Sequence, residues 1–319
     1  MIPDQEESLA ATTAYSSEKV AEPDYFSNYD DTFENYFLMQ APWAVVAIVV
    51  FYLYFVLKLG PDLMANRKAY DLRRIIQFYN FVQVIFSFWW FCTTMNIMLV
   101  NSETMSISSA MCRPYIIPKE QQQPMNFMAW LYLMSKYVEL LDTVFFVLRK
   151  KQNQVTFLHV YHHTNMALST WFFIKYVRAS QSSVLGICNT FVHTVMYGYY
   201  LLATLGPSIQ KYLWWKKYIT RMQIGQFLVV LVYLVILMYN DCSIPNSLMI
   251  FAIFNTASFL ILFSQFYVNS YKKTNQDKQE KQTNVINNNN DNKDPKKEVE
   301  FIANNNNVSL TSADHKKQL

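Results

Sequence analysis

Long apolar segments alternate with short polar ones along most of the chain. The apolar runs cover residues 43–60, 75–100, 126–148, 155–177, 184–205, 218–239 and 246–271. Each run is near the roughly 20 residues that an α-helix needs to cross the hydrocarbon core of a bilayer. A backbone inside lipid must satisfy its own hydrogen bonds, which favours helices over isolated strands. The pattern therefore predicts an all-α polytopic membrane protein with seven transmembrane helices.

Polar segments flank this apolar part at both ends. Residues 1–41 are acidic and lack the apolar stretch of a cleavable signal peptide. Residues 272–319 are rich in Lys and Asn, with too few apolar residues to fold alone. We therefore expect an acidic N-terminal segment over 1–41, a seven-helix domain over 42–271, and a disordered tail over 272–319.

Basic residues are concentrated in alternate loops of the apolar part. Loops 101–125, 178–183 and 240–245 together hold three basic residues, Arg113, Lys119 and Arg178, whereas the alternate loops carry clusters of Lys and Arg. The positive-inside rule places the basic loops in the cytosol, which makes the N-terminus lumenal and the C-terminus cytosolic. Lys316 and Lys317 then match the dilysine retrieval pattern of endoplasmic reticulum membrane proteins. The alternative is two lysines in a tail already rich in lysine.

Charge and cysteine usage exclude several classes of protein. Only 16% of the residues are charged, and a net charge of +4 is too small to suggest nucleic-acid binding. The four cysteines form no CxxC pair, so zinc-ribbon and dithiol redox motifs are absent. Cys112 and Cys242 fall in the predicted lumenal loops, where an oxidising environment favours a disulfide between them. Cys92 and Cys188 fall inside spans and are expected to be free thiols.

Two clusters of ionisable residues lie in the third and fourth apolar runs. Lys136, Glu139 and Asp142 follow an i, i+3, i+6 spacing that puts them on one stripe of a helix. Ionisable groups inside a membrane are costly and indicate a functional site, although a purely structural Lys–carboxylate pair is the alternative. His159, His162 and His163 stand at i, i+3, i+4, and three histidines on one lipid-embedded face are rarely only structural.

Two further polar clusters lie in the fifth and sixth runs. His193 shares a helix face with Asn189, Met196, Tyr197 and Tyr200. The sixth run carries polar residues at three-residue steps, with an arginine beside them: Thr220, Gln223, Gln226 and Arg221. The alternatives here are a tyrosine-rich packing seam and interhelical hydrogen bonding, respectively.

The histidine count separates the possible chemistries. Membrane desaturases and hydroxylases resemble this chain in carrying HxxHH boxes, but their di-iron sites use about eight histidines in three boxes. Here four of the five histidines lie in the spans, and no HExxH sequence is present. We therefore expect no metal site. A single zinc or iron ion bound by imidazole is the alternative. A seven-helix receptor or transporter remains a different class of candidate, but neither predicts three histidines beside a Lys/Glu/Asp helix.

Four motifs together resemble the ELO family of very-long-chain fatty acid elongases. KYVELLDTVFF is similar to KxxExxDTxF, LHVYHH to LHxxHH, HTVMYGYY to HxxMYxYY, and TRMQIGQF to TxxQxxQF. All four occur in the family's order, one on each of the third to sixth runs. The resemblance covers roughly residues 35–272 and excludes the two polar ends.

The resemblance implies a fold, an activity and partners. It implies six of the seven helices around a closed acyl-chain tunnel. It also implies very-long-chain 3-oxoacyl-CoA synthase activity, in which acyl-CoA and malonyl-CoA are the substrates and no cofactor is needed. Membrane lipid is the solvent, and a 3-ketoacyl-CoA reductase, a dehydratase and an enoyl reductase of the elongation cycle are the implied partners. The sequence does not indicate the preferred chain length or unsaturation of the acyl group. It also leaves open whether the protein forms a homo-oligomer.

The residue chemistry favours histidine as the nucleophile. Cys188 is five residues from His193, roughly 140° around the helix, so this pair does not form a Cys–His site. Neutral imidazole is nucleophilic without a helper base, which favours His162 at the centre of the box. Direct attack within a ternary complex is the alternative. His193, held by Asn189, is expected to stabilise the malonyl enolate or to bind the malonyl group.

The remaining candidates divide into catalytic and substrate-binding residues. Glu139 and Asp142 are expected to fix the histidine tautomers, and Lys136 to pair with them or with the malonyl carboxylate. The expected substrate-binding polar residues are Tyr197, Tyr200, Gln223 and Gln226. The candidates for binding the CoA phosphates are the cations near the cytosolic mouth: Arg149, Lys150, Lys151, Lys216, Lys217, Arg221 and Lys272.

Overall fold

The computed structural model describes residues 35–102, 119–176, 181–240 and 244–273. Across these ranges the chain is helical and contains no strand, which confirms the all-α class. The helices in chain order are α1 (Pro42–Tyr54), α2 (Gly60–Met64), α3 (Arg73–Ser102), α4 (Lys119–Val138), α5 (Leu141–Leu148), α6 (Phe157–Tyr176), α7 (Gln181–Thr204), α8 (Pro207–Gln210), α9 (Lys216–Tyr239) and α10 (Asn246–Tyr267). A π-helical turn, Phe55–Leu59, joins α1 to α2, and a second one, Val268–Lys273, extends α10.

Among the described residues, four helical stretches are long and apolar enough to cross a membrane: Pro42–Met64, Arg73–Ile97, Lys216–Tyr239 and Asn246–Tyr271. Their outward faces carry large apolar side chains, among them Val50, Phe78, Val229 and Phe254. So large an exposed apolar surface is unfavourable in water but favourable in contact with lipid. The protein is therefore a membrane protein. The helices between these stretches carry the ionisable residues, and the count of seven spans stays a prediction, as does the closed tunnel.

The third apolar run folds differently from the prediction at its start and in its interior. Helix α4 begins at Lys119, inside the stretch expected to be a loop, because its Lys, Glu and Gln residues are strong helix formers although they are polar. The run is then interrupted at Glu139 and Leu140, where two i→i−3 hydrogen bonds tighten the turn before α5. The stripe of Lys136, Glu139 and Asp142 is consequently divided between two helices.

The helices around the ionisable residues pack closely on one another. Helix α7 lies along α3 on one side and against α9 on the other, and α9 packs against α10. Helix α6 contacts α1, α4 and α10. A group of buried apolar side chains joins α1, α5 and α6: Val49, Tyr52, Val147 and Val160. This packing surrounds the start of α6 and the middle of α7, where the histidines lie.

Some predictions fall outside the described residues. Cys112, Cys242, Lys316 and Lys317 belong to this group, so the disulfide and the retrieval signal stay predictions. The division of the chain into three segments is likewise untested. Cys92 and Cys188 lie within α3 and α7 as free cysteines, as predicted. Cys188 packs against the apolar group formed by α9 and α10.

Replacing Gly60 with alanine is expected to destabilise the protein by about 1–3 kcal/mol, the usual cost of overpacking. A methyl group at Gly60 would lie 2.7 Å from Val147 Cγ1 and 2.8 Å from the Phe55 carbonyl oxygen, and the carbonyl cannot move without disturbing the π-helical turn. Thermal unfolding in detergent measures the change.

Gly225→Ala is the matched control, because nothing lies within 4 Å of the added methyl group. Alanine is the better helix former, so this variant should be as stable as the wild type or more stable by up to about 1 kcal/mol. Equal unfolding temperatures for the two variants would contradict the close approach of α2 to α5.

Candidate active site

A buried ion pair connects α4 with α7. Lys136 Nζ lies 2.7 Å from Glu139 Oε1 and donates a second hydrogen bond of 2.7 Å to Asn189 Oδ1. The Tyr132 hydroxyl donates to the same amide oxygen over 3.1 Å. Lys136 is 2% exposed and Glu139 3%, so little water screens their attraction. The i, i+3 pairing that the spacing suggested is present, and it reaches across to the neighbouring helix.

This network fixes the orientation of the His193 ring. Asn189 Oδ1 already accepts two hydrogen bonds, so its Nδ2 is the atom that faces His193 Nε2 at 3.2 Å. Nε2 must then accept, which leaves the ring proton on Nδ1. Nδ1 in turn lies 3.3 Å from Glu139 Oε1. Asn189 therefore holds Nε2 and fixes the tautomer, whereas Nδ1 faces Glu139 without a hydrogen bond to any described residue.

The three box histidines lie in the first two turns of α6. The His159 and His163 rings are 4.3 Å apart, and His162 lies with its ring centre 5.5 Å from that of His163. His162 also makes edge contacts with Phe259 and Phe263 of α10. The fixed rise of an α-helix brings these rings together, because i, i+3 and i, i+4 neighbours share a face.

His159 has an open nitrogen in a buried position. Its ring packs 5.1 Å from that of Phe146, and its Nε2 is shielded from solvent with no hydrogen-bond partner among the described residues. A buried polar atom without a partner is costly, and such atoms are frequently found where a ligand binds. The box thus offers an imidazole nitrogen, His159 Nε2, that the surrounding described residues do not occupy.

Asp142 does not join the network of Lys136 and His193 that its spacing suggested, and instead belongs to a second chain of polar groups. Its Oδ2 accepts a 2.8 Å hydrogen bond from the Tyr197 hydroxyl. The Tyr197 oxygen lies 3.5 Å from that of Tyr79, which accepts a 3.1 Å hydrogen bond from Gln83 Nε2. Asp142 therefore contacts a tyrosine, and Glu139 is the carboxylate that faces a histidine. Even an uninterrupted helix would place Asp142 about 120° around the axis from Lys136, so the two side chains face different neighbours.

The other predicted polar contacts lie around the same part of α7. Tyr200 is 38% exposed and packs edge-on against the Tyr197 ring. Gln223 Nε2 lies 3.4 Å from Met196 Sδ, and Gln226 is half-buried on the same helix. Arg221 donates a 2.7 Å hydrogen bond to the Tyr267 hydroxyl. Of this group, Tyr197 and Gln223 are already engaged by protein atoms.

The basic clusters meet at one end of the helix bundle. Lys150 Nζ donates to the Ala65 carbonyl after α2, and Arg73 Nε donates to the Thr204 carbonyl at the end of α7. The Arg221–Tyr267 bond joins the start of α9 to the end of α10. The remaining predicted phosphate-binding cations sit at the same helix ends: Arg149 and Lys151 just after α5, Lys216 and Lys217 at the start of α9, and Lys272 in the final π-helical turn. The histidine box begins directly beyond the first of these clusters.

Three contributors to the site were not predicted from the sequence. Tyr132 lies one turn before Lys136, so helical spacing from a known site residue could have found it. Tyr79 and Gln83 lie on α3, far from any motif, and only the packing of α3 on α7 brings them to Tyr197. Within the described ranges, no three His, Cys, Asp or Glu side chains are grouped as metal ligands would be.

Comparison with known proteins assigns the chain to a family. A family model described as ELO: GNS1/SUR4 family matches residues 37–279. A very long chain fatty acid elongase of Aedes aegypti is 40% identical over 252 residues, covering 78% of this chain and 69% of that protein. Very long chain fatty acid elongase 7 of Drosophila melanogaster is 41% identical over 254 residues, with 78% and 75% coverage. Very long chain fatty acid elongase 4 of Homo sapiens is 39% identical over 254 residues and covers 78% of each chain. With the buried Lys136–Glu139–Asn189–His193 network and the histidine box at the start of α6, these matches show that the chain belongs to the ELO: GNS1/SUR4 family.

Proposed function

We propose that the protein elongates fatty acids as a very-long-chain 3-oxoacyl-CoA synthase. It condenses a long-chain acyl-CoA with malonyl-CoA and releases 3-oxoacyl-CoA, CO2 and CoA. The observation that carries the proposal is the buried polar network of Lys136, Glu139, Asn189 and His193 beside three histidines in an otherwise apolar bundle. Such a network is costly inside a membrane unless it serves a function. The elongase relatives support the same reaction.

The first half of the reaction transfers the acyl group to His162. The unprotonated ring nitrogen attacks the thioester carbonyl, so a C–N bond forms as the C–S bond breaks. The other ring nitrogen then releases its proton, and the CoA thiolate leaves as the free thiol. His162 suits this role because its ring contacts Phe259 and Phe263, and such apolar surroundings exclude the water that would hydrolyse an acyl-imidazole.

The second half forms the carbon–carbon bond. Malonyl-CoA loses CO2, and the resulting enolate attacks the acyl carbon, so that a C–C bond replaces the C–N bond. The departing ring nitrogen takes up a proton from water, which restores the neutral imidazole. His193 carries a proton on Nδ1, and Glu139 and Asn189 hold its ring in place. The Nδ1–H lies 3.3 Å from Glu139 Oε1 without forming a hydrogen bond, so it would donate to the enolate oxygen as negative charge develops. Lys136, two hydrogen bonds away from His193 through Asn189, would meet the malonyl carboxylate.

Location and partners follow from the same proposal. The charge distribution and Lys316–Lys317 support an endoplasmic reticulum membrane protein with a lumenal N-terminus and a cytosolic C-terminus. The basic helix ends described above would bind the CoA phosphates at the cytosolic mouth. The 3-oxo product needs reduction, dehydration and a second reduction before another round, so a ketoreductase, a dehydratase and an enoyl reductase are the proposed partners.

Incorporation of radiolabelled malonyl-CoA into lipid by the purified protein tests the function. With label on the methylene carbon, the expected product is a 3-oxoacyl-CoA two carbons longer than the acceptor. A panel of saturated and unsaturated acyl-CoAs gives the preferred acceptor in the same experiment. Reactions without an acceptor control for simple decarboxylation. A folded protein that incorporates no label with any member of the panel would reject the proposal and favour a transport or receptor function.

Activity is expected to persist after metals are removed. The proposed steps use imidazole, carboxylate and amine groups of the protein, and none needs a Lewis acid. The measurement is turnover after exhaustive chelation, with elemental analysis of the purified protein before and after. Stoichiometric zinc or iron whose loss abolishes turnover, and whose return restores it, would contradict the mechanism.

A further inference from the structure

A turn over residues 36–39 enters the helix bundle just before α1. Met39 N–H bonds to the Tyr36 carbonyl over 3.0 Å, which closes the turn. Leu38 adopts φ 71°, in the left-handed region that bulky side chains rarely occupy. Such a conformation persists only where the surroundings determine it, and it is more frequent at functional positions than elsewhere.

Three side chains hold successive carbonyl groups of this turn. Trp130 Nε1 of α4 donates to the Phe37 carbonyl over 3.0 Å, and Trp171 Nε1 of α6 donates to the Leu38 carbonyl over 2.9 Å. Lys175 Nζ, one turn further along α6, donates to the Met39 carbonyl. The turn is therefore attached to two helices that also carry site residues. These hydrogen bonds satisfy the carbonyl oxygens of Phe37, Leu38 and Met39. The turn therefore exposes mainly apolar side-chain atoms to the interior of the bundle.

The side chains of Leu38 and Met39 fill the space between the helices. They are 7% and 1% exposed and belong to one apolar group with Trp90, Leu133 and Ile187. Phe37, in the same turn, is 66% exposed and points out of the bundle. We call Leu38 and Met39 the plug residues, because they close the end of the bundle at which α1 begins. The loop charges predict this end to be lumenal.

The plug adjoins the polar network directly. Tyr132 packs in the same apolar group as the plug residues, while its hydroxyl donates to Asn189 in the site. Along α6, Trp171 lies nine residues beyond His162, roughly 14 Å at the rise of an α-helix. An extended chain of single bonds advances roughly 1.2 Å per bond, so a long acyl group attached at His162 is long enough to reach this end.

We propose that Leu38 and Met39 form the floor of the acyl-chain site and limit the length of the acyl chain that the protein extends. This inference rests on the proposed function. An alkyl terminus needs an apolar surface without unsatisfied polar groups, and the anchored turn provides one. The anchors make the floor rigid, so it discriminates chain length by steric exclusion.

Met39→Ala is the direct test, with kcat/KM measured for acyl-CoAs of increasing length. The ratio for an acceptor two to four carbons longer than the preferred one, relative to the preferred one, should rise at least about tenfold, the effect of one methylene in a tight apolar pocket. Met39→Phe should shift the preference toward shorter acceptors. Phe37→Ala, in the same turn but outside the floor, should leave the ratio unchanged.

A second variant keeps the test decisive if Met39→Ala does not fold. Trp171→Phe retains an aromatic ring but removes the hydrogen bond to the Leu38 carbonyl, so it should loosen the floor and broaden the accepted lengths. If the wild type is active, and the folded Met39 variants and Trp171→Phe keep its preference for acyl length, then Leu38 and Met39 do not limit that length. The proposed function would stand in that case. A wild type that extends no acyl-CoA rejects the proposed function and the plug with it.

Discussion

His162→Ala is expected to abolish both the acyl-enzyme and turnover. The proposed first step forms a bond between the acyl carbon and a ring nitrogen of this residue. Loss of a nucleophile removes the covalent route entirely, so turnover should fall by at least about 10³-fold. The rings of Phe259 and Phe263 that contact His162 would remain, and the fold should survive.

Incubation with acyl-CoA alone isolates this step. The wild type should release one equivalent of CoA and yield a peptide around His162 whose mass is increased by the acyl group. Cys188→Ala is the control for a thiol nucleophile, because Cys188 is a free cysteine that packs toward α9 and α10. It should form the adduct as the wild type does.

Two outcomes would contradict the assignment in different ways. An adduct that still forms in His162→Ala would move the nucleophile to another residue, and His159, with its unpartnered Nε2, would be the first to examine. Absence of any adduct in the wild type, with turnover intact, would favour direct attack within a ternary complex. His193 is a poor candidate in either case, because Asn189 already occupies its Nε2.

Features that depend on spacing within one helix could be predicted from the sequence. The Lys136–Glu139 pair and the Asn189–His193 contact follow from i, i+3 and i, i+4 geometry, which holds in any α-helix. The grouping of the three box histidines follows in the same way. The helices themselves were predictable because long apolar runs in lipid have few alternatives.

Features that depend on contacts between helices could not be predicted. Nothing in the spacing indicates that Lys136 meets Asn189, that Asp142 meets Tyr197, or that Tyr79 comes from α3 to the same place. The interruption at Glu139 and Leu140 was also missed, since the apolar pattern continues through it. Hydrophobicity decides where a helix lies relative to lipid, but the packing of side chains decides which helix faces which.

Lys136→Met is expected to cause the largest loss of stability among substitutions of the site, about 3–5 kcal/mol. Lys136 and Glu139 are almost fully buried, so removing the cation leaves the carboxylate without its partner in an apolar environment. Asn189 Oδ1 also loses one of its two donors. Thermal unfolding in detergent, followed by far-UV circular dichroism, measures the effect. Lys58→Met is the matched control, because Lys58 is exposed and the same substitution there should change stability by less than about 0.5 kcal/mol.

The double variant Lys136→Met/Glu139→Gln separates stability from catalysis. Replacing both members of a buried ion pair is frequently close to neutral, so the double variant should recover most of the stability lost in Lys136→Met. A double-mutant cycle with Glu139→Gln then gives the coupling energy between the two side chains. Turnover should stay low in all three variants, because the His193 ring loses the carboxylate at Nδ1 or the lysine–Asn189 contact that fixes Nε2. If Lys136→Met unfolds at the wild-type temperature, the two side chains do not form a charged pair in the folded protein, and the electrostatic basis of the proposed site is wrong.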